Sequence, residues 1–240
     1  MKSIKMAMSA ALVFAALATA QKAHAALLLT EAMPDPTGTD VDREWLEMYN
    51  SGPDAVDLTG YAVGDGLDST STAPGEGMGV FPSGTMMAAG QVYIIAANAN
   101  GFNASWITGT FPHAKADFQF ANNTSTLGDD GTTPKLVQKS GWGLSTGTLA
   151  MANGGDDIAI LDPSDNIVDS VSYGTFNTTP NTVPSWVDAS NATIQRTASG
   201  WVYVTGLANA TPGVVNLPEP ASLSLLALGG LTVLGRRRQA

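Results

Sequence analysis

The chain contains no cysteine, and that absence excludes disulfides, thiolate nucleophiles and cysteine-ligated metals together. The core must hold by packing alone. Histidine is almost as scarce, with only His24 and His113 present. His24 falls in a segment read below as removed on export, so a histidine-based metal site or a Ser-His-Asp triad would rest wholly on His113. That residue follows Pro112 and stands two before Lys115, a setting that suits an exposed loop histidine better than a catalytic one. Basic residues are few between positions 26 and 217, where 20 acidic side chains stand against 5 basic ones for a net charge of −15. Affinity for phosphates comes chiefly from Lys and Arg, so no nucleic-acid partner is expected. No uninterrupted apolar run reaches the roughly 20 residues of a lasting membrane span. Nor is there a repeat with a period of roughly 20–50 residues, which argues against a solenoid or propeller.

What is present begins with the two ends. Lys2 and Lys5, an apolar Ala/Leu/Val/Phe run from Ala10 to Ala20 and the small-x-small triplet Ala23-His24-Ala25 have the order of a secretory signal peptide. Residues 1–25 are therefore expected to be removed, with cleavage specified by Ala23 and Ala25 and a mature chain starting near Ala26. The C-terminal end reverses the charge order: Pro218-Glu219-Pro220, then an apolar run from Ala221 to Gly235, then Arg236-Arg237-Arg238. Basic residues held on the cytoplasmic side of a short apolar segment describe a passage through the inner membrane. The run is short for a permanent span, so the expectation is a transient one. In its order and its place at the extreme C-terminus, residues 217–240 resemble the PEP-CTERM sorting signal, the tag that exosortases recognise in Gram-negative bacteria that make extracellular polysaccharide. The resemblance implies an exosortase as processing partner, cutting near Pro218-Glu219-Pro220.

Residues 26–216 are enough for one domain with a sizeable core. Short stretches rich in β-branched and aromatic residues alternate with Gly, Asn, Asp, Pro and Ser, and no segment keeps a helical period. Strands are expected at Leu27–Ala32, Trp45–Tyr49, Asp57–Val63, Gln91–Ala96, Ala116–Phe120, Asp157–Leu161, Ile167–Tyr173, Ala192–Gln195 and Trp201–Val204. Nine short strands predict an all-β sandwich of two sheets. In Glu44-Trp45-Leu46-Glu47-Met48-Tyr49 both alternating sets are largely apolar with a glutamate, so the period assigns no face. In Ile167–Tyr173 the odd positions place Asp169 on an otherwise apolar face; a buried carboxylate needs a partner, and Arg196 is the best available. Leu161-Asp162-Pro163-Ser164-Asp165-Asn166 has the Asp and Pro of a type I turn joining a hairpin. The Gly/Ser/Thr/Asn-rich stretches 67–79 and 120–150 read as loop insertions.

Several spaced motifs in this middle region occur together: Thr30-Glu31-Ala32-Met33-Pro34, Glu44-Trp45-Leu46-Glu47-Met48-Tyr49-Asn50, Val56-Asp57-Leu58-Thr59-Gly60-Tyr61, Gly154-Gly155-Asp156-Asp157-Ile158-Ala159-Ile160-Leu161-Asp162, Val168-Asp169-Ser170-Val171-Ser172-Tyr173-Gly174, Ile194-Gln195-Arg196 and Thr211-Pro212-Gly213. In this order they resemble the lamin-tail domain, with Tyr61 where that family more often has Trp. The resemblance implies an immunoglobulin-like β-sandwich in which Trp45 sits in the core and a neighbouring glutamate receives hydrogen bonds or pairs with an arginine. Bacterial members occur on exported proteins, sometimes beside nuclease or phosphatase domains, for which this chain has no room.

Chemistry, if the domain performs any, would rest on carboxylates. Glu31, Glu44, Glu47, Asp65, Asp156, Asp157 and Asp169 could supply a hard-cation site or an acid–base pair, and the spacing does not choose between them. Glu31, Glu47 and Asp156 form the candidate set for a Ca²⁺ ion, although no cofactor is the primary expectation. Asp35–Asp42 has the Asp/Thr/Gly texture of a calcium loop without the ligand spacing of an EF-hand, and a solvated acidic loop explains it as well. Six Asn-x-Ser/Thr sequons, at Asn103, Asn122, Asn123, Asn177, Asn191 and Asn209, read by default as chance sequons in turns. Two functions follow. One is a non-catalytic surface or matrix module that binds extracellular polysaccharide or surface proteins; the other is a metal-dependent hydrolase, a phosphoesterase or glycosidase. The complete export frame favours the first.

Overall fold

Gly155–Leu161 carries two β-branched side chains and Ile167–Gly174 three with one aromatic, both bounded by Gly, Asp and Pro, and such runs settle as strands. The computed structural model describes residues 27–66, 77–106, 115–120, 127–141, 149–176 and 178–217. Two sheets arise. The first runs in the spatial order β13 (Gly200–Val204), β12 (Ala192–Thr197), β1 (Leu27–Asp35), β2 (Trp45–Asn50), β7 (Val92–Ala96), β8 (Phe118–Phe120). The second runs β11 (Ile167–Gly174), β10 (Gly155–Leu161), β4 (Ala62–Gly64), β5 (Met78–Val80), β9 (Lys135–Gln138). Pairing is antiparallel except at β7–β8 and β8–β9, and the latter contact makes the two sheets one curled surface. On the opposite side the curl closes where β11 meets β1: the Leu29 amide donates to Asp169 Oδ2 at 2.8 Å.

Inside the curl, Leu46, Met48 and Ile95 of the first sheet pack against Ile158, Ile160, Val171 and Tyr173 of the second, with Phe120 and Leu136 at the β8–β9 junction. Removing each such side chain from water stabilises by roughly 1.5–3 kcal/mol. The opposite face of β2 and β7 is covered too, by helix α2 (Ala99–Trp106), whose Phe102 meets Trp45 edge to face at 5.8 Å. This explains the unassignable faces of Glu44–Tyr49: β2 is a central strand buried on both sides, so both alternating sets are apolar. A short helix α1 (Asp40–Arg43) lies against α2, so closely that a Cβ on Gly101 would fall 1.6 Å from the Asp42 carbonyl oxygen. Only glycine fits there.

Three expectations need correction. The strand expected at Asp57–Val63 is two strands: β3 (Val56–Asp57) pairs with β6 (Met86–Met87) in a separate small sheet, and β4 joins the second sheet. Between them Asp57 Oδ1 accepts from the Thr59 amide, Tyr61 N–H closes onto the Leu58 carbonyl, and Gly60 takes φ +81°. The Asp-Leu-Thr-Gly turn chemistry therefore outweighs the apolar run. Stretches 67–79 and 120–150 are not wholly loop, because β5 starts at the end of one and β9 lies within the other. Helix α2 has no sequence period long enough to betray it; Asn98 starts it by accepting from the Gly101 amide at 3.0 Å, an N-cap bond to the third helical residue. The Asp162–Asn166 turn forms as its residues suggest, with Asp165 N–H on the Asp162 carbonyl and Asp165 at φ 66°, and β10 and β11 pair as a hairpin.

Candidate functional site

Glu31 of β1 and Glu47 of β2 stand directly opposite in the strand register, both buried. Their partners come from a strap that follows β13. Glu31 accepts from the Thr211 amide at 3.0 Å, from the Thr211 hydroxyl at 2.8 Å and from Gln195 Nε2 at 3.0 Å. Glu47 accepts from the Gly213 amide at 2.6 Å and from the Thr30 hydroxyl. Pro212, between them, has no N–H to offer, so each flanking amide meets its own carboxylate. Burial pushes both acids up, Glu47 to about 8, while the donors around Glu31 offset part of its rise.

A second set of carboxylates lies at the start of β10. The three consecutive amides of Ala150, Met151 and Ala152 donate to Asp65 Oδ2 (2.7 Å), Glu44 Oε2 (3.1 Å) and Asp156 Oδ2 (2.8 Å) respectively. Asp65 also receives the Gly77 amide at 2.6 Å, and Tyr173 O–H donates to the Ala152 carbonyl at 2.8 Å. Burial, reinforced by the Asp65 charge, drives the Glu44 carboxyl well above its ordinary range, and burial lifts Asp156 to about 6. Asp157 accepts from the Thr178 hydroxyl at 2.9 Å. Asp65, Glu44 and Asp156 fix the 150–152 segment against β4, β2 and β10.

The candidate calcium ligands are thus not brought together. Glu31 and Glu47 share the strap, whereas Asp156 belongs to the set around Glu44 that meets the amides of 150–152. Among the described residues no group of three or more His, Cys, Asp or Glu is arranged to hold a metal ion. In the Asp35–Asp42 segment the tip at 37–39 is exposed while Asp35 and Asp42 are buried. Arg196 Nη2 lies 2.9 Å from Asp169 Oδ1, with its guanidinium over the Trp201 ring at 5.3 Å. Since the other Asp169 oxygen takes the Leu29 amide, this one carboxylate ties β11 to both β1 and β12 across the closing seam. Even so, burial outweighs the Arg196 charge and holds the Asp169 carboxyl above its ordinary value. Ala23, Ala25, His113, Pro218, Glu219, Pro220 and Arg236–Arg238 lie outside the described residues. Asp65 is one structural acid that spacing could not rank above the others: its role depends on amides 12 and 85 positions away.

Residues 20–175 match the Lamin Tail Domain family, and residues 216–239 match the PEP-CTERM protein-sorting motif. The chain belongs to the lamin tail domain family. Its fold is an all-β, immunoglobulin-like sandwich. The same architecture occurs in the crystal structure of a DUF4876 family protein from Bacteroides thetaiotaomicron, at a TM-score of 0.54 and 16% identity over 82% of this chain and 72% of that one. No curated protein matches. In this lamin tail domain the sandwich extends past residue 175: β12 pairs with β1, β13 with β12, and the Thr211–Gly213 strap returns to the two glutamates. The PEP-CTERM motif starts only three residues after Gly213. The protein is exported, reaches the cell surface or the extracellular space, and carries the tag that directs exosortase processing.

Proposed function

We propose that this lamin tail domain is a non-catalytic binding or structural module of the extracellular matrix, cut free of residues 1–25 and of the tail beyond about Pro220. The observation that carries the reading is the use of its buried acids. Glu31, Glu47, Asp65 and Asp156 each accept on both carboxylate oxygens from backbone amides or side chains of the fold, whereas Glu44 accepts the Met151 amide on Oε2 and its buried Oε1 has no hydrogen-bond partner among the described residues. A carboxylate whose lone pairs are committed to backbone donors is a strut, not a base or a metal ligand waiting for substrate. Support for the frame comes from the signal-like order Ala23-His24-Ala25 at one end and from the PEP-CTERM motif at the other. Partners of this reading are extracellular polysaccharide and other surface proteins, with transient passage through the inner membrane by way of residues 221–235.

The test is an activity and retention assay on the protein secreted by its host. The reading expects no hydrolysis of a phosphodiester or of the host's glycans, with or without divalent ions, together with retention on the host's polysaccharide matrix. Chelator-sensitive turnover of either substrate would establish the alternative hydrolase instead.

A further inference from the structure

Two of the five basic side chains of this acidic domain have no carboxylate partner among the described residues: Arg43 and the exposed Lys115. Lys135 is paired with Asp129, Lys139 with Asp165 and Arg196 with Asp169. Arg43, half-buried at the end of α1, has no carboxylate partner among the described residues; its one hydrogen bond there goes from Nη1 to the Thr37 carbonyl at 2.8 Å. With 20 acids to 5 bases in the region, an unpaired arginine is the least expected arrangement. The loop is shaped around it: Gly38, at φ +118°, has no side chain, and a Cβ there would come 3.1 Å from Arg43 Nη1.

Arg43 borders a cleft of about 320 Å³ whose floor is apolar, formed by Met33, Pro36 and Leu207. Asn191 on the rim holds Thr37 by two bonds, accepting from its amide at 3.0 Å and donating to its hydroxyl oxygen. What the rim leaves free is mainly donors: the remaining guanidinium N–H groups, the Thr37 hydroxyl hydrogen and the second Asn191 amide hydrogen. The size falls at the lower end of the roughly 300–1,000 Å³ of small-ligand sites, which pair an apolar wall with a few placed polar groups.

We propose that this cleft binds the carboxylate of an acidic sugar residue, a uronate within an extracellular polysaccharide. Resting on the matrix-module reading above, the inference names the site and the ligand class. A planar carboxylate matches the guanidinium fork in a bidentate pair, sugar hydroxyls meet Thr37 and Asn191, and the C–H face of the ring lies on the exposed Leu207. Asp35, next to Pro36, and Asp40 and Asp42, in the same helix as Arg43, stand close to the cleft, so the guanidinium fork must offset their charge locally; repulsion from charges beyond ~8 Å is largely screened at physiological ionic strength.

The experiment titrates the host-secreted protein with an oligouronate and with a neutral glucan oligomer of equal length, and measures retention on the host's own matrix polysaccharide in parallel. Binding of the oligouronate alone is expected, weakened at least tenfold by Arg43→Ala and only partly by Arg43→Lys. Leu207→Glu sits in an exposed turn and places a competing carboxylate at the cleft; it should abolish binding while leaving the melting temperature unchanged, which keeps the test valid if Arg43→Ala unfolds. Equal binding of the neutral oligomer, oligouronate binding that survives both variants, or tighter binding of an oligoglutamate peptide would overturn the cleft assignment. Matrix retention that persists in those cases leaves the module reading standing; no retention of the wild type sinks both.

Discussion

At the scale of single residues, the fold is held by carboxylates placed where carboxylates are costly. Glu47 is fully buried, and its folded-state pKa of about 8 lies above the ordinary 4.5. The folded protein therefore holds this proton more tightly than the unfolded chain does. That contribution to stability is fully present below pH about 4.5 and is lost as pH rises through about 8. Glu44 and Asp156 act in the same direction. The expected outcome is a melting temperature that falls between pH 5 and pH 8, with Glu47→Gln, which keeps an acceptor for the Gly213 amide, flattening that slope; a slope unchanged in the variant would assign it elsewhere. Asp169 works by a different balance, since its loss leaves Arg196 part-buried without an anion and the Leu29 amide without an acceptor. Asp169→Ala should cost about 3–5 kcal/mol, read by denaturant unfolding. Asp169 and its partner were legible in the sequence, because an acid on an apolar face in a chain with few bases leaves few choices. The committed partners of Glu31 and Glu47 were not, because strand spacing cannot show which amides, over 160 residues away, will fold back onto them.

Among the elements, those with alternation and clear turn chemistry were legible: β10 and β11 follow from the sequence around Asp162-Pro163. Elements that failed the pattern did so for physical reasons. β2 carries no face signal because α2 covers the side that a two-layer sandwich would leave in water. α2 itself is eight residues with two asparagines and a glycine, poor helix formers, stabilised by packing against Trp45 and by the Asn98 cap rather than by propensity. Its seat depends on Gly101, whose missing Cβ lets α1 and α2 touch. Gly101→Ala should shift the helix and destabilise the domain by about 1–3 kcal/mol, with the loss showing first as accelerated hydrogen exchange in 99–106. Exchange confined to other segments would mean that the α1–α2 contact is not what holds the helix.

For the whole molecule, the order of motifs carried more than any single one. Seven short patterns spread from Thr30 to Gly213 pointed to one family, and the family match and the two-sheet architecture agree with them. The match ends at residue 175, yet the first sheet is incomplete without β12, and the strap that locks onto Glu31 and Glu47 ends just before the sorting motif. The last described contact of the strap with the sandwich, at Gly213, lies three residues before the sorting motif begins. A cut near Pro218–Pro220 would leave the Thr211 and Gly213 bonds to Glu31 and Glu47 intact. The measurement that tests this most directly is the intact mass and location of the protein from its native host, with and without the exosortase. The account predicts a species running from near Ala26 to about Pro220, outside the cell or on its surface, and its disappearance when the exosortase is removed. A species that keeps Arg236–Arg238 and stays in the inner membrane of the wild-type host would contradict it.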